Sequence, residues 1–540
     1  MQHSLGTLLA AAARSPDTGP PIRFETEAVT ATWPLGRLLA AGEAFWRARP
    51  LPPCRRVLIA MAVSPEAVGL YLAAIHRGLV PAFLAPLTEK QREDAHWRQL
   101  AALARRAEAA MLLVDGAALA PARASIQVPG LTIEAPAPFD FQADLEASPG
   151  APSGEGEVAF LQYSSGTTGA RKAVAIRHDM LARQVAAYRR ALDLRSSDVM
   201  VSWLPLYHDM GLIACLMLPL ICGLPLVLLD PVEWARRPAL LLQAIERHRG
   251  TLAFLPNFAF HHLALTVPAD ETADLSGMRA FVNCSETCSE SAFERFHDRF
   301  GAQGATRAML QTCYAMAEAV FAVTQSAPGT TVASLATAAP GLDVGTRRIA
   351  PDTLSSGRPI PGVEIEIRDD SGRCLDDRQV GEIHLRGPAL FAGYEFADAG
   401  APKPVDGWFA TGDLGLLCGG ELFVVGRSKD VIIVNGRNLM APEIEAVAAE
   451  VDGIKPGRAV AFGCWQDATG SEALTVLAEP RRALCDAEDG RALSRRLRQR
   501  IFERIGVHPT VRIVPPKTLI KTTSGKLSRA RNRQLYEEAR

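Results

Sequence analysis

The sequence predicts an α/β fold in which a large N-terminal portion, built of several subdomains, precedes a small α+β C-terminal domain. Ahead of Pro328, short apolar runs such as residues 57–61 alternate with helix-like segments such as residues 65–77. That alternation is typical of parallel sheets covered by helices. Beyond Pro328, residues 363–367 alternate polar and apolar side chains next to a turn, which indicates a small antiparallel β subdomain. Short mixed α and β segments after residue 427 predict the C-terminal domain.

Composition excludes several classes of protein. The 540 residues are 48% hydrophobic and 22% charged with a formal net charge of -1, as in ordinary globular proteins. Such a balance gives no reason to expect a nucleic acid or an anionic membrane as partner. Ten cysteines without a Cys-x-x-Cys pair indicate free thiols in a reducing compartment, so we expect a cytoplasmic protein. Cys284 and Cys288 have no further ligands at zinc spacing, and we predict no metal site there.

The longest uncharged run, residues 211–229, is long enough to span a bilayer. Pro219, Gly223 and Pro225 interrupt it, and we interpret it as a buried helix, a turn and a buried strand. We therefore expect no stable membrane insertion. The apolar residues 8–13 near the N-terminus lack a preceding Lys or Arg and are interpreted as a first helix instead of a signal peptide.

A glycine-rich stretch, residues 162–172 (QYSSGTTGARK), is the strongest local signal. It lies between an apolar run at 158–161 and a helix-like segment at 179–194. Backbone N–H groups in such a loop turn toward anions, and the charge of Lys172 suits a triphosphate. The spacing is not that of a Walker A motif, so a polar turn without a ligand remains the alternative from these residues alone.

Three further residues are candidates by type and position. His208 follows a predicted strand at 199–204, where ligands bind in α/β sheets, although it could instead cap a helix or pair with Asp209. Tyr314 could stack on a base and Glu318 could bind Mg²⁺ through oxygen. The alternatives are a core tyrosine and an exposed glutamate.

Two later loops carry single charged candidates. Asp413, in the tight loop 411–415, could accept hydrogen bonds from two sugar hydroxyls, or could simply belong to a turn. Lys526 ends the polar loop 521–526, which could equally be a solvated basic tail.

Taken in order, these motifs resemble the adenylate-forming superfamily of acyl-CoA synthetases, adenylation domains and luciferases, over essentially the whole chain. The phrases LPLYHDMGLI at 204–213, PNFA at 256–259 and GRN at 436–438 are similar to those of its fatty acyl-AMP ligase branch. The stretch 324–354 matches the position of that branch's extra insertion.

The resemblance implies a role for each candidate. The ATP phosphates would be held by Ser164, Ser165, Gly166, Thr167, Thr168, Gly169 and Lys172. The adenosine would be held by Ser285, Glu286, Tyr314, Ala315, Met316, Asp413 and Arg427, with Asp413 and Arg427 on the ribose. His208 would guide the acid, Glu318 would bind Mg²⁺ and Lys526 would bridge the acid and the α-phosphate.

The resemblance also implies the reaction and the domain division. Residues 1–426 would bind ATP and a small-molecule acid, and residues 427–540 would rotate about Lys429 with the catalytic Lys526. The acid would become an acyl-AMP, and the acyl group would pass to a phosphopantetheine thiol of an acyl carrier protein or CoA. An amine or another non-thiol acceptor is the alternative, and a non-catalytic nucleotide-binding regulator is the alternative of a different class.

The chain departs from the family pattern at four positions. Ser164 replaces a usual Thr, Arg171 a usual Pro, Ala173 a usual Gly and Ala315 another usual Gly. None of these removes a catalytic group, and together they suggest an acid other than a plain long-chain fatty acid. The expected acid pocket is lined by Phe258, His261, Cys284, Cys313 and Met316.

Overall fold

The fold was obtained as a computed structural model that covers most of the chain. It describes residues 5–12, 14–15, 17–27, 29–49, 55–88, 92–140, 157–163, 172–338, 352–397, 400–434, 437–466, 471–484, 487–521 and 527–538. Residues 164–171, with most of the glycine-rich loop, and residues 522–526, with Lys526, lie outside the described residues.

A nine-stranded sheet forms the centre of the larger part of the molecule. Its strands, in spatial order, are Arg358–Pro359, Ala322–Gln325, Leu310–Ala315, Ala280–Cys284, Leu252–Pro256, Met200–Ser202, Leu226–Leu229, Pro21–Glu25 and Thr30–Pro34. The six strands from Leu310–Ala315 to Pro21–Glu25 are parallel to their neighbours, and the strands outside them are antiparallel. The carboxyl ends of the parallel strands therefore meet along one edge, where α/β sheets bind ligands.

A second parallel sheet lies nearer the N-terminus, as the alternation of residues 55–114 predicts. Its strands, in spatial order, are Val80–Phe83, Arg56–Ala60, Met111–Val114 and Thr132–Glu134. All three pairings are parallel, and the side chains of Leu58, Ile59 and Leu112 are fully buried because both faces of the sheet are covered.

The glycine-rich stretch is not followed directly by a helix, so that part of the prediction was wrong. Val158–Tyr163 pairs antiparallel with a further strand, Ala173–Arg177, and only then does the helix His178–Ala191 begin. Ala173, Val174 and Ile176 are buried, and alternation of small and β-branched residues favours a strand here. The strand Tyr394–Glu395 completes this three-stranded sheet beside Ala173–Arg177.

The antiparallel β subdomain predicted beyond Pro328 is confirmed. Four strands pair in the order Glu364–Arg368, Gly381–Arg386, Phe409–Cys418 and Glu421–Arg427, all antiparallel. The two longest strands place Asp413 directly opposite Arg427.

The remaining strands belong to the C-terminal part. Val431–Val434 pairs with Arg437–Met440, and Ile454–Gln466, Ser471–Pro480 and Thr510–Ile513 form a separate three-stranded sheet. The helix Ala487–Ile505 lays Leu497 and Ile501, both fully buried, on a core that it shares with the helix Ala441–Ala449.

The α-helices are amphipathic or fully buried, depending on how many sides are covered. They are Leu5–Ala12, Leu35–Arg47, Pro65–His76, Glu93–Arg106, Leu119–Ser125, His178–Ala191, Leu218–Ile221, Pro231–Arg236, Ala239–His248, Asn257–Thr266, Glu290–Phe300, Leu335–Ala338, Ala441–Ala449, Ala487–Ile505 and Arg529–Glu538. None of the helices within the described ranges combines the length and the apolar character needed to cross a bilayer.

Candidate active site

Hydrogen bonds among Tyr314, Asp413 and Arg427, three residues of the predicted site, join the nine-stranded sheet to the antiparallel subdomain. The Tyr314 hydroxyl donates to Asp413 Oδ2 at 2.7 Å, and Arg427 Nε donates to Asp413 Oδ1 at 2.9 Å. Burial, followed by the charge of Asp413, raises the pKa of Tyr314 well above its usual value, so the phenol stays protonated as a donor. Asp413 likewise raises the pKa of Arg427. The carboxylate is thus fixed between one phenol and one guanidinium.

The prediction of a tight loop at residues 411–415 was wrong, because these residues pair with the next strand and lie within the strand Phe409–Cys418. Further hydrogen bonds fix the backbone around Asp413. Thr411 Oγ1 accepts from the Asp413 N–H at 3.0 Å and donates to the Ile383 carbonyl at 2.8 Å. Gly412 has a φ of +73°, a left-handed conformation that glycine adopts without strain, and its N–H donates to Glu382 Oε1 at 2.8 Å. This part of the strand therefore holds the carboxylate in one orientation.

A second group of contacts surrounds Glu318. This residue lies in the single turn Ala317–Ala319, and its carbonyl accepts the Phe391 N–H at 2.8 Å. The hydroxyl of Tyr394 donates to the Glu318 carboxylate. The same tyrosine ring lies 4.5 Å from Lys172 Nζ, within cation–π range. One side chain therefore contacts both the predicted metal ligand and the predicted phosphate-binding lysine.

Tyr394 is the residue that sequence analysis missed. It pairs with Val174, two positions after Lys172, because the strand Tyr394–Glu395 lies beside Ala173–Arg177. Burial, with a contribution from Glu318, raises the pKa of the Tyr394 phenol. The signal available in the sequence was a lone tyrosine between glycines and prolines, which does not reveal a pairing with a strand more than 200 positions earlier.

The turn that carries Glu318 ends in a strained residue. Val320 is fully buried, and its φ of +67° and ψ of -53° are rare for a β-branched side chain. Its N–H donates to the Ala317 carbonyl at 2.9 Å, which closes the turn. Such backbone costs on the order of 1–3 kcal/mol and concentrates at functional sites.

His208 lies at the edge where the parallel strands end, as predicted. Asp209, and not His208, caps the following helix, because its carboxylate accepts the Met210 N–H at 2.9 Å. That helix, Met210–Met217, is a π-helix, a form that often occurs at functional sites. A Cβ on Gly211 would lie 2.3 Å from the Pro205 carbonyl oxygen, so only glycine allows this close packing of the turn that holds His208.

Ser285 and Glu286 follow the strand Ala280–Cys284 of the same sheet. Ser285 has a φ of +76°, and its hydroxyl lies 3.8 Å from Met210 Sδ. The Glu286 carboxylate accepts the Phe258 N–H at 3.0 Å, in the first turn of the helix Asn257–Thr266. Glu286 therefore stabilises a helix N-terminus, and its role toward adenine stays a prediction.

Ala315 and Met316 lie where the strand Leu310–Ala315 ends. The pairing shifts register between Tyr314 and Ala315, and the Met316 N–H donates to the Phe321 carbonyl at 2.8 Å. This irregularity turns the chain toward Glu318.

The predicted acid pocket borders on a cluster of aromatic rings. Trp203 and Trp234 stack at a centroid distance of 3.4 Å, and Phe258 meets both edge-on at 6.4 Å. The indole N–H groups of both tryptophans are buried and find no acceptor within the described part of the chain. Of the other predicted wall residues, Cys284 and Cys313 are buried, and burial raises the pKa of the Cys313 thiol.

Positively charged side chains converge near the acids Asp413 and Glu318. Burial, followed by the charge of Arg427, lowers the pKa of Lys429, and the charge of Lys172 acts in the same direction. Like charges resist being brought together unless an anion accompanies them. Lys172 directly precedes the strand Ala173–Arg177, Arg427 ends a strand of the antiparallel subdomain, and Lys429 lies in the turn that follows it. These three residues thus supply cations near the acids Asp413 and Glu318.

Comparisons with known proteins identify the family to which the chain belongs. The family model described as AMP-binding enzyme matches residues 44–395. A putative acyl-CoA synthetase of Caulobacter vibrioides is 33% identical over 87% of this chain and 83% of its own length. The long-chain-fatty-acid–AMP ligase FadD26 of Mycobacterium marinum is 31% identical over 88% of this chain and 86% of its own length. A solved structure from a study of fatty acyl-adenylate ligases from E. coli and L. pneumophila superposes with a TM-score of 0.85, at 28% identity, over 99% of this chain and 98% of that one.

Proposed function

Since the chain belongs to the AMP-binding enzymes, in the fatty acyl-AMP ligase branch of the adenylate-forming superfamily, we propose that it activates a fatty-type carboxylic acid for transfer to a thiol. It is an ATP-dependent ligase that forms acyl adenylates. The acid would become acyl-AMP with release of pyrophosphate. The acyl group would then pass to the phosphopantetheine thiol of an acyl carrier protein or of CoA.

The convergence of Lys172 and Arg427 beside two acids, with Lys429 two residues after Arg427, is the observation that carries the proposal. ATP brings several negative charges, which these three cations would neutralise. The acids serve different ends. Asp413 would accept hydrogen bonds from the ribose. Glu318 contacts Tyr394, whose ring also contacts Lys172.

The residues on the nucleoside would act as one unit. Because the Tyr314 hydroxyl is bound to Asp413, the tyrosine ring that would pack on adenine and the carboxylate that would hold the ribose keep a fixed spacing. The loop Ser164–Gly169 would hold the phosphates together with Lys172. Ser285, Glu286, Ala315 and Met316 would line the remainder of the nucleotide pocket.

Glu318 fits a role in holding Mg²⁺. Within the described ranges no group of three or more His, Cys, Asp or Glu side chains forms a ready metal site. Mg²⁺ is commonly held by one or two carboxylates together with substrate phosphates, which a single glutamate beside the triphosphate satisfies. When bound, the ion would neutralise charge on the phosphate oxygens.

The chemical step follows from charge and position. A carboxylate oxygen of the acid attacks the α-phosphorus of ATP, and the bond from that phosphorus to the pyrophosphate oxygen breaks. Both reactants are anionic, so His208 would guide the acid while Lys526 would bridge it to the α-phosphate. In the second step the thiol attacks the acyl carbon, loses its proton and displaces AMP. Residues 427–540 would rotate about Lys429 relative to residues 1–426 and withdraw Lys526 between the steps.

The test is acid-dependent pyrophosphate release from ATP and Mg²⁺, with mass spectrometry of products with and without CoA. Because the predicted acid pocket borders on the aromatic cluster of Trp203, Trp234 and Phe258, the panel should contain aromatic and hydroxylated acids beside alkyl ones. An acyl-CoA product would establish CoA as acceptor, and acyl-AMP that persists with CoA would favour a carrier protein or an amine. No pyrophosphate from any acid would overturn the proposal and favour a nucleotide-binding regulator. Full activity of Lys526→Ala would contradict the chemical step as proposed, because this lysine would then not be needed.

A further inference from the structure

Arg529 forms a compact ion cluster with two carboxylates in the C-terminal part of the chain. Its Nη1 donates to Asp430 Oδ2 at 2.6 Å, while Nε and Nη2 donate to the two oxygens of Glu445 at 3.0 and 2.6 Å. The three side chains are only 25%, 15% and 18% exposed. Glu445 also accepts the Ala461 N–H at 3.0 Å. A bidentate pair of this kind fixes geometry as well as charge, which a lysine cannot reproduce.

The cluster joins positions that are far apart in the chain. Asp430 ends the turn Ser428–Asp430 and directly follows Lys429, the predicted hinge. Arg529 begins the last helix, three residues after Lys526, and lies 99 positions from Asp430. The ion pair is therefore a direct connection between the hinge and the chain that carries the lysine.

The chain on both sides of the lysine segment is fastened to the same helix. Lys521 and Leu527 form an isolated β-bridge, and the Ser528 N–H donates to the Ile520 carbonyl at 3.0 Å. Asn532, fully buried, accepts the Ile520 N–H at 2.9 Å and donates to the Ile520 carbonyl at 2.9 Å. Movement of the helix that begins at Arg529 therefore moves both ends of the segment.

We propose that Arg529 is a positioning residue that transmits rotation at the hinge to the catalytic lysine segment. This inference rests on the proposed function, in which Lys526 serves only the first half-reaction. Asp430 then belongs to the moving body, and the pivot lies before it, at Ser428 and Lys429. The ion pair, and not the intervening chain, fixes the position of the lysine segment relative to the hinge.

Two variants separate this role from a merely structural one. Asp430→Ala cuts the connection to the hinge and leaves the bidentate Arg529–Glu445 pair in place, so the domain retains its internal ion pair. Arg529→Lys keeps the charge and loses the fork that spans both acids. Arg533→Ala is the matched control, because Arg533 lies one turn later on the same helix and pairs with Glu537 in a solvent-exposed i,i+4 arrangement.

The half-reactions are measured separately: pyrophosphate release from ATP and acid, and thiol acylation from chemically prepared acyl-AMP. We expect Asp430→Ala and Arg529→Lys to slow the first by about tenfold, as for one lost charged hydrogen bond, and to leave the second within about twofold. The double variant should be no slower than Arg529→Lys alone, since both changes break the same contact between Arg529 and Asp430. Equal losses in both half-reactions with a lower melting temperature, or no loss in either, would overturn the proposal.

A readout that needs no acid distinguishes failure of this inference from failure of the proposed function. Energy transfer is measured between dyes on Cys374, an exposed thiol, and on Gln499→Cys, with Cys54 and Cys485 replaced by serine. In the chain without the Asp430 change, we expect ATP and Mg²⁺ to shift the distribution of distances between the two dyes to a narrow peak. In Asp430→Ala we expect the distribution to stay broad. An identical response of both chains would refute the role of Arg529. Normal shifts without acid-dependent pyrophosphate release would refute only the proposed function.

Discussion

Replacing Asp413 by asparagine tests whether this carboxylate holds the ribose. A carboxylate offers about four acceptor positions, of which Tyr314 and Arg427 occupy one on each oxygen. One position remains on each oxygen, which matches the two hydroxyls of a ribose. Hydrogen bonds to charged groups contribute about 1.5–3 kcal/mol each. Allowing for non-additivity, Asp413→Asn should weaken ATP binding by about 2–4 kcal/mol, or roughly 30- to 1000-fold.

The assay is calorimetric titration with ATP and with its 2′,3′-dideoxy analogue, for the unchanged chain and for Asp413→Asn. If the carboxylate contacts both hydroxyls, the unchanged chain prefers ATP strongly and the variant loses that preference. Glu364→Gln, which alters an exposed ion pair with Arg386 in the same sheet, serves as the control and should keep the preference. An equal loss of affinity for both nucleotides would refute the reasoning, because Asp413 would then only support Tyr314 and Arg427.

Three further changes test neighbouring features. Tyr394→Phe removes the donor to Glu318 and should raise the Mg²⁺ concentration needed for half-maximal ATP binding by about tenfold, as one lost charged hydrogen bond would, whereas an unchanged Mg²⁺ titration would exclude this role. Burial lowers the pKa of His261 from 6.5 to about 4, so the unfolded chain binds a proton that the native one does not between those values. The free energy of unfolding should therefore fall as the pH drops through that window, by up to about 3 kcal/mol, and His261→Asn should flatten the dependence in denaturant titrations. Gly211→Ala should lower the free energy of unfolding by about 1–3 kcal/mol because its Cβ would overlap the Pro205 carbonyl, and unchanged stability would contradict that packing.

The sequence was most informative where side-chain pattern and backbone period agree. The parallel strands Leu252–Pro256 and Ala280–Cys284 consist almost entirely of apolar residues, because the sheet is covered on both faces, and all of their residues are buried. The strand Glu364–Arg368 alternates because one face is solvated. The strand Ala173–Arg177 was missed, because the glycine-rich loop before it and the helix after it are typical of a strand–loop–helix unit.

The candidate site could be predicted as a set of positions but not as a set of contacts. The segments around Tyr314, Asp413 and Arg427 each have a local signal, and the structure brings these three residues together. Their mutual hydrogen bonds depend on how two sheets pack, which no local pattern encodes. The same holds for Tyr394, whose contact with Glu318 joins positions 76 residues apart.

The central claim is that an acid oxygen attacks the α-phosphorus of ATP, and transfer of a heavy oxygen isotope tests it most directly. An acid accepted in the pyrophosphate assay is supplied with both carboxylate oxygens labelled, and the AMP released on thiol acylation is analysed by mass spectrometry. The proposed chemistry leaves one labelled oxygen in each AMP and none in pyrophosphate, because the bridging oxygen departs with AMP. Unlabelled AMP, or label in the pyrophosphate or in free phosphate, would contradict the account.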